Sequence, residues 1–383
     1  MNKSLLAAAL LALVLTGLAW KISTAKAPQT EITRSALYLG LLDKLNDVTR
    51  IELQSNKFKT TLKRANDNWI LTNRDDFPAD PKAVKRLLLQ LADLEIVEAK
   101  TSLPASYGRI GVTEPGPGSD SMQVELYGAK DEKLVAVILG HTRDGGQKSQ
   151  RYVRRVGEPQ SWLVNGKIES AADPISWLDA RIADVDSARV RRLEITPQTG
   201  PSVVIEKAHA KDNFFELRNL PSGRVARSKS LVSSIGALLL DLRFNNVAAA
   251  ARYGQAPVLR HTLVQTFDGV VAHIEEIEAE GKTYTRFDFD YDAKLVQPPA
   301  VTDDSTAQAP SSSTAAAKEL PKETVAQEAA RLKARVAGWV YELPDYKTRL
   351  LSKRLDDLVR APGKDAASIE ESGAAAQPEI PSP

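Results

Sequence analysis

A weak internal repeat constrains the fold of this chain more than any short motif does. Ile51-Glu52-Leu53 recurs as Leu193-Glu194-Ile195, and Tyr107-Gly108 recurs as Tyr253-Gly254, at separations of 142 and 146 residues. Self-similarity in a fixed order, with a nearly constant offset, indicates repeated structural units even where identity is low. We therefore expect a tandem duplication of one module.

The second copy is longer near its end. Trp162, in the run Ser161-Trp162-Leu163-Val164, corresponds to Trp339, in Gly338-Trp339-Val340-Tyr341, and the separation there has risen to 177 residues. The extra residues match a tract at 296–321 that is rich in Ala, Ser, Thr and Pro. Such a composition is too poor in large apolar residues to order itself. The sequence thus predicts a low-complexity insertion before the last strand of the second module.

Short strands are predicted throughout each module. Runs rich in β-branched and aromatic residues alternate with Asn, Ser and Asp turns and predict an antiparallel meander at the start of the first module. These runs are 48–53, 60–63 and 69–71. Beyond the Tyr-Gly pair of each module, further alternating runs predict a second antiparallel sheet. They are 122–127, 134–139, 151–156 and 162–164 in the first module, and 259–267, 270–277, 284–289 and 339–341 in the second.

One helix is expected to cover the sheet of each module, which gives an α+β fold. Asp80 is a suitable N-cap and Pro81 suits the first helical position. In the copy, Ser228 is the corresponding cap. The apolar positions recur at helical spacing: Val84, Leu87, Leu88, Leu91 and Leu94, and in the copy Leu231, Ile235, Leu238, Leu239 and Leu242. Residues 322–336 and 350–359 are also predicted to be helical.

An apolar run near the N-terminus predicts an extracytoplasmic address. The run extends from Leu5 to Trp20 and is followed by Lys21. At about 1.5 Å per residue it spans roughly 24 Å, less than the roughly 30 Å hydrocarbon core, which favours a cleaved signal peptide. Pro28 disfavours cleavage after Ala27, and Trp20 with Lys21 suits the interface of an uncleaved anchor. Both interpretations place the bulk of the chain in the periplasm; the anchor would make it a single-pass inner-membrane protein with a cytoplasmic N-terminus.

The expected organisation follows from these patterns. It comprises a transmembrane anchor or signal peptide at 1–27, a linker with a short amphipathic segment at 28–47, a first α+β module at 48–187, a second at 188–360 with the insertion at 296–321, and a disordered tail at 361–383. The amphipathic segment packs on the first module or lies on the membrane surface. Its apolar residues are Leu37, Leu39, Leu41, Leu42 and Leu45.

Composition excludes several classes of function. The chain has 383 residues, 51 basic and 49 acidic, so its formal charge of +2 provides no general field for nucleic acid. The absence of cysteine excludes disulfides, thiol nucleophiles and cysteine-ligated metals. Gly-rich phosphate loops and a Gly-x-Ser-x-Gly turn are also absent from the sequence. We therefore predict no catalytic, cofactor-binding or metal site, and no enzyme activity.

Local clusters offer weaker functional alternatives. His141 lies with Arg143 and Asp144 between glycines, a pattern more typical of a hairpin loop than of a site. Asp288, Asp290 and Asp292 alternate on one predicted strand, where they could hold calcium or form a solvated face. Two basic clusters are interpreted as exposed strand edges guarded against aggregation, or as a surface for an acidic partner. They are Arg151, Arg154 and Arg155, and Arg189, Arg191 and Arg192.

A family resemblance adds to this account. The order of several motifs across residues 35 to 360 resembles a bacterial family of unknown function. The motifs are Asn46-Asp47-Val48, Asn68-Trp69, Pro78-Ala79-Asp80, Glu98-Ala99-Lys100-Thr101, Tyr107-Gly108, Tyr152-Val153-Arg154-Arg155, Trp162-Leu163-Val164 and Trp177-Leu178. The resemblance implies a membrane-anchored extracytoplasmic protein, often encoded beside ABC transporters of the gliding-motility type. It implies no catalytic residue, and the insertion departs from the family's pattern.

Three functions remain open at this stage. The first is a noncatalytic, membrane-anchored binding or scaffold subunit that works with an ABC-type permease or another envelope protein. The second is a stand-alone envelope binder of glycan or lipid, which Tyr284, Phe287 and Tyr291 would favour if they were exposed together. The third is a hydrolase with an unrecognised site, which would require perturbed carboxylates or a histidine in a deep pocket.

Overall fold

The computed structural model describes residues 35–143, 149–169, 171–296 and 323–362. Contacts divide the chain into two compact units. The first contains residues up to 70 and 80–176, and the second contains 71–79 and the residues from 177 onward. The predicted anchor, nearly all of the insertion and nearly all of the tail lie outside the described residues. Within the described part of the chain, no helix is long and apolar enough to cross a membrane.

Most of the described elements are antiparallel strands. In chain order they are β1 (Arg50–Gln54), β2 (Lys59–Ala65), β3 (Asn68–Leu71), β4 (Phe77–Pro78), β5 (Glu95–Ala99), β6 (Met122–Tyr127), β7 (Lys133–Arg143), β8 (Gln150–Arg155), β9 (Ser161–Asn165), β10 (Arg181–Ala183), β11 (Val190–Pro197), β12 (Val203–Glu206), β13 (Glu216–Leu217), β14 (Val225–Ala226), β15 (Leu242–Arg243), β16 (Asn246–Ala249), β17 (Val258–Thr266), β18 (Val270–Ala279), β19 (Lys282–Tyr291), β20 (Trp339–Glu342) and β21 (Val359–Arg360).

Shorter helical segments connect and cover these strands. They are α1 (Leu41–Lys44), α2 (Pro81–Ala92), α3 (Tyr107–Ile110), α4 (Lys229–Gly236), α5 (Val325–Val336), α6 (Asp345–Leu351) and α7 (Leu355–Leu358). The strands at 122–127 and 133–143 in the first unit and those at 258–266 and 270–279 in the second agree with the sequence expectations. The helices at 81–92 and 325–336 agree as well. The α+β class is therefore confirmed.

The first unit has one antiparallel sheet rather than the two expected from the sequence. Its strands follow the order β3-β2-β1-β6-β7-β8-β9-β5. Ile51 pairs with Leu62 on β2 and also with Leu126 on β6, so β1 joins the meander to the later strands. The expectation of a separate second sheet was wrong because β1 has two hydrogen-bonding edges, and pairing both leaves fewer backbone groups unsatisfied.

Helix α2 forms where its capping signals predict. The Asp80 side chain accepts a hydrogen bond from the Lys82 backbone N–H at 2.9 Å, and Pro81 occupies the first turn. Leu87 and Leu91 are fully buried on one face. Leu94 is also buried, although it follows the helix, whose C-cap is Asp93.

The segment before β1 packs on the first unit, as one of the two interpretations predicted. Leu37 and Leu41 are buried, and the Leu37 N–H donates to the Leu94 carbonyl at 2.7 Å. The Tyr38 hydroxyl donates to the Ala136 carbonyl at 2.8 Å, and burial raises the pKa of Tyr38 to about 12. Leu39 and Leu42 are instead exposed, and whether they contact a membrane stays a prediction.

The second unit has a sheet with the order β13-β12-β11-β17-β18-β19-β20-β16. When the eight strands named for each sheet are numbered in chain order, both sheets have the order 3-2-1-5-6-7-8-4. The register at the two ends also corresponds, because Ala99 of β5 pairs with Trp162 as Ala249 of β16 pairs with Trp339. Two short ladders, β10 with β15 and β14 with β21, complete this unit.

Helix α4 is shorter than the apolar stripe predicted. Ser228 caps it as expected, with its hydroxyl accepting from the Leu231 N–H at 3.3 Å, but it ends at Gly236. The buried Lys347 ammonium then donates to the Ala237, Leu238 and Leu240 carbonyls at 3.2, 2.7 and 2.9 Å. The Leu238 and Leu240 carbonyls lie beyond the helix and gain a donor in this way, whereas the Ala237 carbonyl at the C-cap also accepts from the Leu240 N–H at 3.2 Å. The stripe from Leu238 to Leu242 therefore continues as a turn and as β15.

Helix α5 packs against β19, which pairs with β20 only at Thr285, and ion pairs hold the helix in place. A complete capping box joins Thr324 to Gln327. Arg189, just before β11, donates to Glu328 with both terminal nitrogens at 2.9 and 2.7 Å, and to Asp268 with Nε at 2.7 Å. Bidentate arginine–carboxylate contacts of this kind fix orientation as well as adding energy.

The closing segment differs in detail from its prediction. Residues 350–359 were expected to form one helical segment that repeats the region 177–181. The structure places two short helices, α6 and α7, followed by β21. The earlier region is a single 3-10 turn, Pro174–Trp177, followed by β10.

A candidate binding cavity in the second unit

The histidine loop of the sequence lies in a hairpin. His141 and Arg143 belong to β7, whose residue Thr142 pairs with Arg151 of β8. Asp144 lies outside the described residues. A Cβ at Gly140 would collide with the carbonyl of Ile110, which explains why this strand position has no side chain. The hairpin interpretation is therefore confirmed.

Asp288 and Asp290 of β19 and Asp292, which follows the strand, do not converge. Asp288 and Asp290 are exposed and contact the Lys333 ammonium, with 2.7 Å from its Nζ to the Asp290 carboxylate. Asp292 instead caps a turn by accepting from the Lys294 N–H at 2.9 Å. No group of three or more His, Asp or Glu side chains in the described part of the chain is arranged to hold a metal ion. The aspartates thus form a solvated face balanced by a lysine.

The first basic cluster does not mark a strand edge. Strand β8 lies between β7 and β9, so its backbone is paired on both sides. Arg154 is only 4% exposed, pairs with Glu114, donates from Nε to the Val112 carbonyl at 3.0 Å and lies over the Tyr107 ring. The prediction of an exposed, guarded edge was wrong because β8 pairs with both β7 and β9. The buried guanidinium of Arg154 instead holds the segment 107–114 in place.

The second basic cluster is also internal to its sheet. Strand β11 pairs with β12 and β17. Arg189 holds helix α5 through Glu328, and Arg192 donates to Glu194 at 3.0 Å. These acidic partners lie within the unit, so the edge interpretation was wrong here as well.

The aromatic residues of β19 are not exposed together. Tyr284 and Phe287 are buried, whereas Tyr291 is exposed. Tyr284 stacks on Tyr253 with ring centroids 4.9 Å apart, and Phe287 packs near Tyr341. Two of the three aromatic residues that would have favoured a glycan or lipid binder by joint exposure thus belong to the core.

The cavity that best meets the chemistry of a binding site lies in the second unit. Its volume is about 540 Å³, within the usual range for ligand pockets. It opens where β12 and β13 end near the N-terminal half of α4. The apolar part of its wall consists of Ala208, Phe214, Phe215, Leu217, Leu220, Ala226 and Val232.

A buried lysine lines this cavity. Lys207 follows β12 directly and is 4% exposed. Its Nζ donates to the Ser187 carbonyl at 3.0 Å and lies 4.5 Å from the centre of the Phe215 ring. Burial lowers the pKa of Lys207, and Asp186 and Asp212 oppose this effect. A lysine in an apolar wall with a perturbed pKa is a feature of functional sites as well as of structural ion networks.

Two adjacent phenylalanines shape the cavity in different ways. Phe215 is buried against α4, and its N–H donates to the Ser233 hydroxyl at 3.2 Å. A Cβ at Gly236 would overlap the Phe215 ring, so the glycine permits the close approach. Phe214 is 51% exposed at the opening. Leu220 and Val225 are exposed nearby in the chain, and exposed apolar side chains around a cavity are typical of binding sites.

A larger cleft in the first unit is a poorer candidate. It measures about 630 Å³ and is lined by Asp93, Glu95, Asn165 and Lys167 among others. None of these charged residues is fully buried. Glu95 Oε2 is buried without a hydrogen-bond partner among the described residues, but the apolar side chains of the cleft are limited to Ala36, Ala92 and Leu94. The cleft therefore lacks the extended apolar wall of the cavity at Lys207.

Sequence patterns did not predict this cavity. Lys207 is one lysine after a short strand, and Phe214-Phe215 is a pair within a loop.

A family model matches part of the chain. Residues 69–257 match the model of a family described as Domain of unknown function (DUF4340). The match is to a domain of unknown function. It spans just under half of the chain and includes residues of both units. No curated protein and no solved structure matches the chain.

Proposed function

We propose that the protein is a noncatalytic, membrane-anchored extracytoplasmic subunit that binds a ligand or partner for an ABC-type permease or another envelope complex. The observation that supports binding is the cavity at Lys207, with Phe214 exposed at its opening. The apolar run at 5–20 supports the membrane address. The motif resemblance supports the association with an ABC transporter.

A tandem duplication is part of this proposal. Its support is the identical strand order of the two sheets and the matching register of Trp162 and Trp339 at their ends. Two copies would give the subunit two sheets with separate surfaces. The second copy would then have acquired the recognition cavity beside its helix α4.

Fractionation and crosslinking of the full-length chain test the proposal. Tagged protein should remain with the membrane after alkaline extraction, and protease added to spheroplasts should digest it. Crosslinking in native membranes, followed by purification, should recover an ABC permease or its ATPase. Protein found in the cytoplasm, or recovered from the membrane with no transporter component, would contradict the proposal.

A stand-alone envelope lipid binder is the second candidate. The apolar wall of the cavity supports a lipid ligand. Membrane protein recovered with bound lipid and with no permease would favour this candidate over the first.

A further inference from the structure

The cavity at Lys207 has an apolar part that is open to an incoming ligand. Phe214 and Leu220 are exposed by 51% and 41%, while Val232 and Leu217 are buried. Burial of an apolar group against such a wall is favourable because it removes apolar surface from water. The wall therefore suits a hydrocarbon chain or another compact apolar group.

The charges that line the cavity are unequally satisfied. Glu206 lies 3.4 Å from Arg218 and 3.9 Å from Arg192, and Glu216 lies 3.3 Å from Arg218. Asp212 accepts from the His209 N–H at 2.8 Å. The acidic groups at the cavity thus have partners within the unit.

The lysine ammonium groups that line the cavity have hydrogen-bond donors left for a ligand. An ammonium has three N–H donors. The structure gives the Lys207 ammonium one hydrogen bond among the described residues, to the Ser187 carbonyl, and a contact with the Phe215 ring. The ammonium of Lys229, at the start of α4, has no ion-pair or hydrogen-bond partner among the described residues. The ammonium donors that remain for a ligand in this cavity therefore belong to Lys207 and Lys229.

We propose that this cavity binds an amphipathic monocarboxylate, with its hydrocarbon chain against Phe214 and Leu220 and its carboxylate at Lys207 and Lys229. A carboxylate at these ammonium groups would form charge-assisted hydrogen bonds, which are about twice as strong as neutral ones. A neutral amphiphile would gain the apolar contacts only. A cationic amphiphile would meet repulsion from both lysines. This ligand class rests on the proposed function, in which the same cavity is the recognition site.

Decanoate is the probe for a direct test, with decan-1-ol and decyltrimethylammonium as neutral and cationic counterparts. The full-length protein is placed in lipid nanodiscs, and each probe is titrated by calorimetry with empty nanodiscs as the reference. We expect saturable, one-site decanoate binding that is at least tenfold tighter than binding of the other two probes.

Variants locate the site. Lys229→Gln changes an exposed residue and should leave folding intact, while Lys207→Met keeps the apolar stem; each should weaken decanoate at least fivefold and leave decan-1-ol unchanged. Ala226→Trp should obstruct both probes. Lys211→Gln removes an exposed lysine of the neighbouring loop that does not line the cavity, and it should have no effect. Circular dichroism checks that each variant is folded.

Three outcomes would overturn the inference: no decanoate binding above empty nanodiscs, equal affinity for decanoate and decyltrimethylammonium, or equal loss in Lys211→Gln and Lys229→Gln. None of these would alter recovery of a permease by crosslinking in membranes. Conversely, failure to recover a permease would not alter decanoate binding, so the two proposals fail separately.

Discussion

Glu276 provides the sharpest physical prediction in the second unit. It is 1% exposed on β18, and its Oε2 accepts from Arg260 Nη1 at 2.8 Å, whereas Oε1 has no partner among the described residues. Burial raises the pKa of Glu276 to about 7, although Arg260 opposes the shift. The desolvated carboxylate is therefore disfavoured relative to the neutral acid.

The sign of the pH effect follows from this direction. The folded pKa of about 7 is above the ordinary value of 4.5. The folded state thus binds the proton more tightly, and this stabilisation is complete below pH 4.5 and is lost as the pH rises through 7. At about 1.4 kcal/mol per unit of pKa, the loss amounts to roughly 3 kcal/mol.

Glu276→Gln removes the ionisation and nearly preserves shape. The free energy of unfolding of the wild type should fall between pH 5 and pH 8 by roughly 3 kcal/mol relative to the variant. Urea unfolding followed by pulsed hydrogen exchange of residues 270–279 measures the second unit separately. A difference between wild type and variant that stays constant from pH 5 to pH 8 would refute the argument, because the carboxyl would then titrate as an ordinary glutamate.

Four further changes have expected costs in the free energy of unfolding, measured by the same method with peptides from the relevant unit. Leu91→Ala should destabilise the first unit by about 2–5 kcal/mol because Leu91 is fully buried in α2; a cost below about half a kcal/mol would contradict its place in the core. Gly236→Ala should cost about 1–3 kcal/mol, since the new methyl overlaps Phe215, and an unchanged stability would show that the ring moves freely. Arg189→Lys should cost about 1–3 kcal/mol by losing the bidentate contact with Glu328 and should increase exchange in α5 first. Lys347→Met should cost about 1–3 kcal/mol because the Leu238 and Leu240 carbonyls lose their ammonium donor, while the Ala237 carbonyl keeps the Leu240 N–H, and exchange should rise first at 237–240.

Local signals in the sequence were sufficient for the elements but not for their assembly. The Asp80-Pro81 start of α2 and the bounds of β6 depend on neighbours within a few residues, and both were predicted correctly. The merging of two expected sheets into one depends on the pairing of β1 with β6, which are about seventy residues apart. Such pairing is decided by tertiary packing, which a local pattern does not contain.

The candidate residues show the same limit. Arg154 and Arg189 were each grouped with arginines adjacent in the sequence. Their partners, Glu114 for Arg154 and Glu328 for Arg189, lie far along the chain. The cavity at Lys207 arises where β12, a loop and α4 meet, so none of its parts has a sequence signature alone. Long-range contacts therefore determined which charged residues have structural roles and which line the cavity.

Site-specific photocrosslinking tests the central claim that the cavity-bearing surface of the second unit recognises a partner at the membrane. A benzophenone amino acid replaces Phe214, which is 51% exposed at the cavity, or Phe58, which is 43% exposed in the first unit. After irradiation of intact cells, the account predicts a crosslink from position 214 to an ABC permease component and none from position 58. Equal capture from both positions, or no transporter component from position 214, would contradict it.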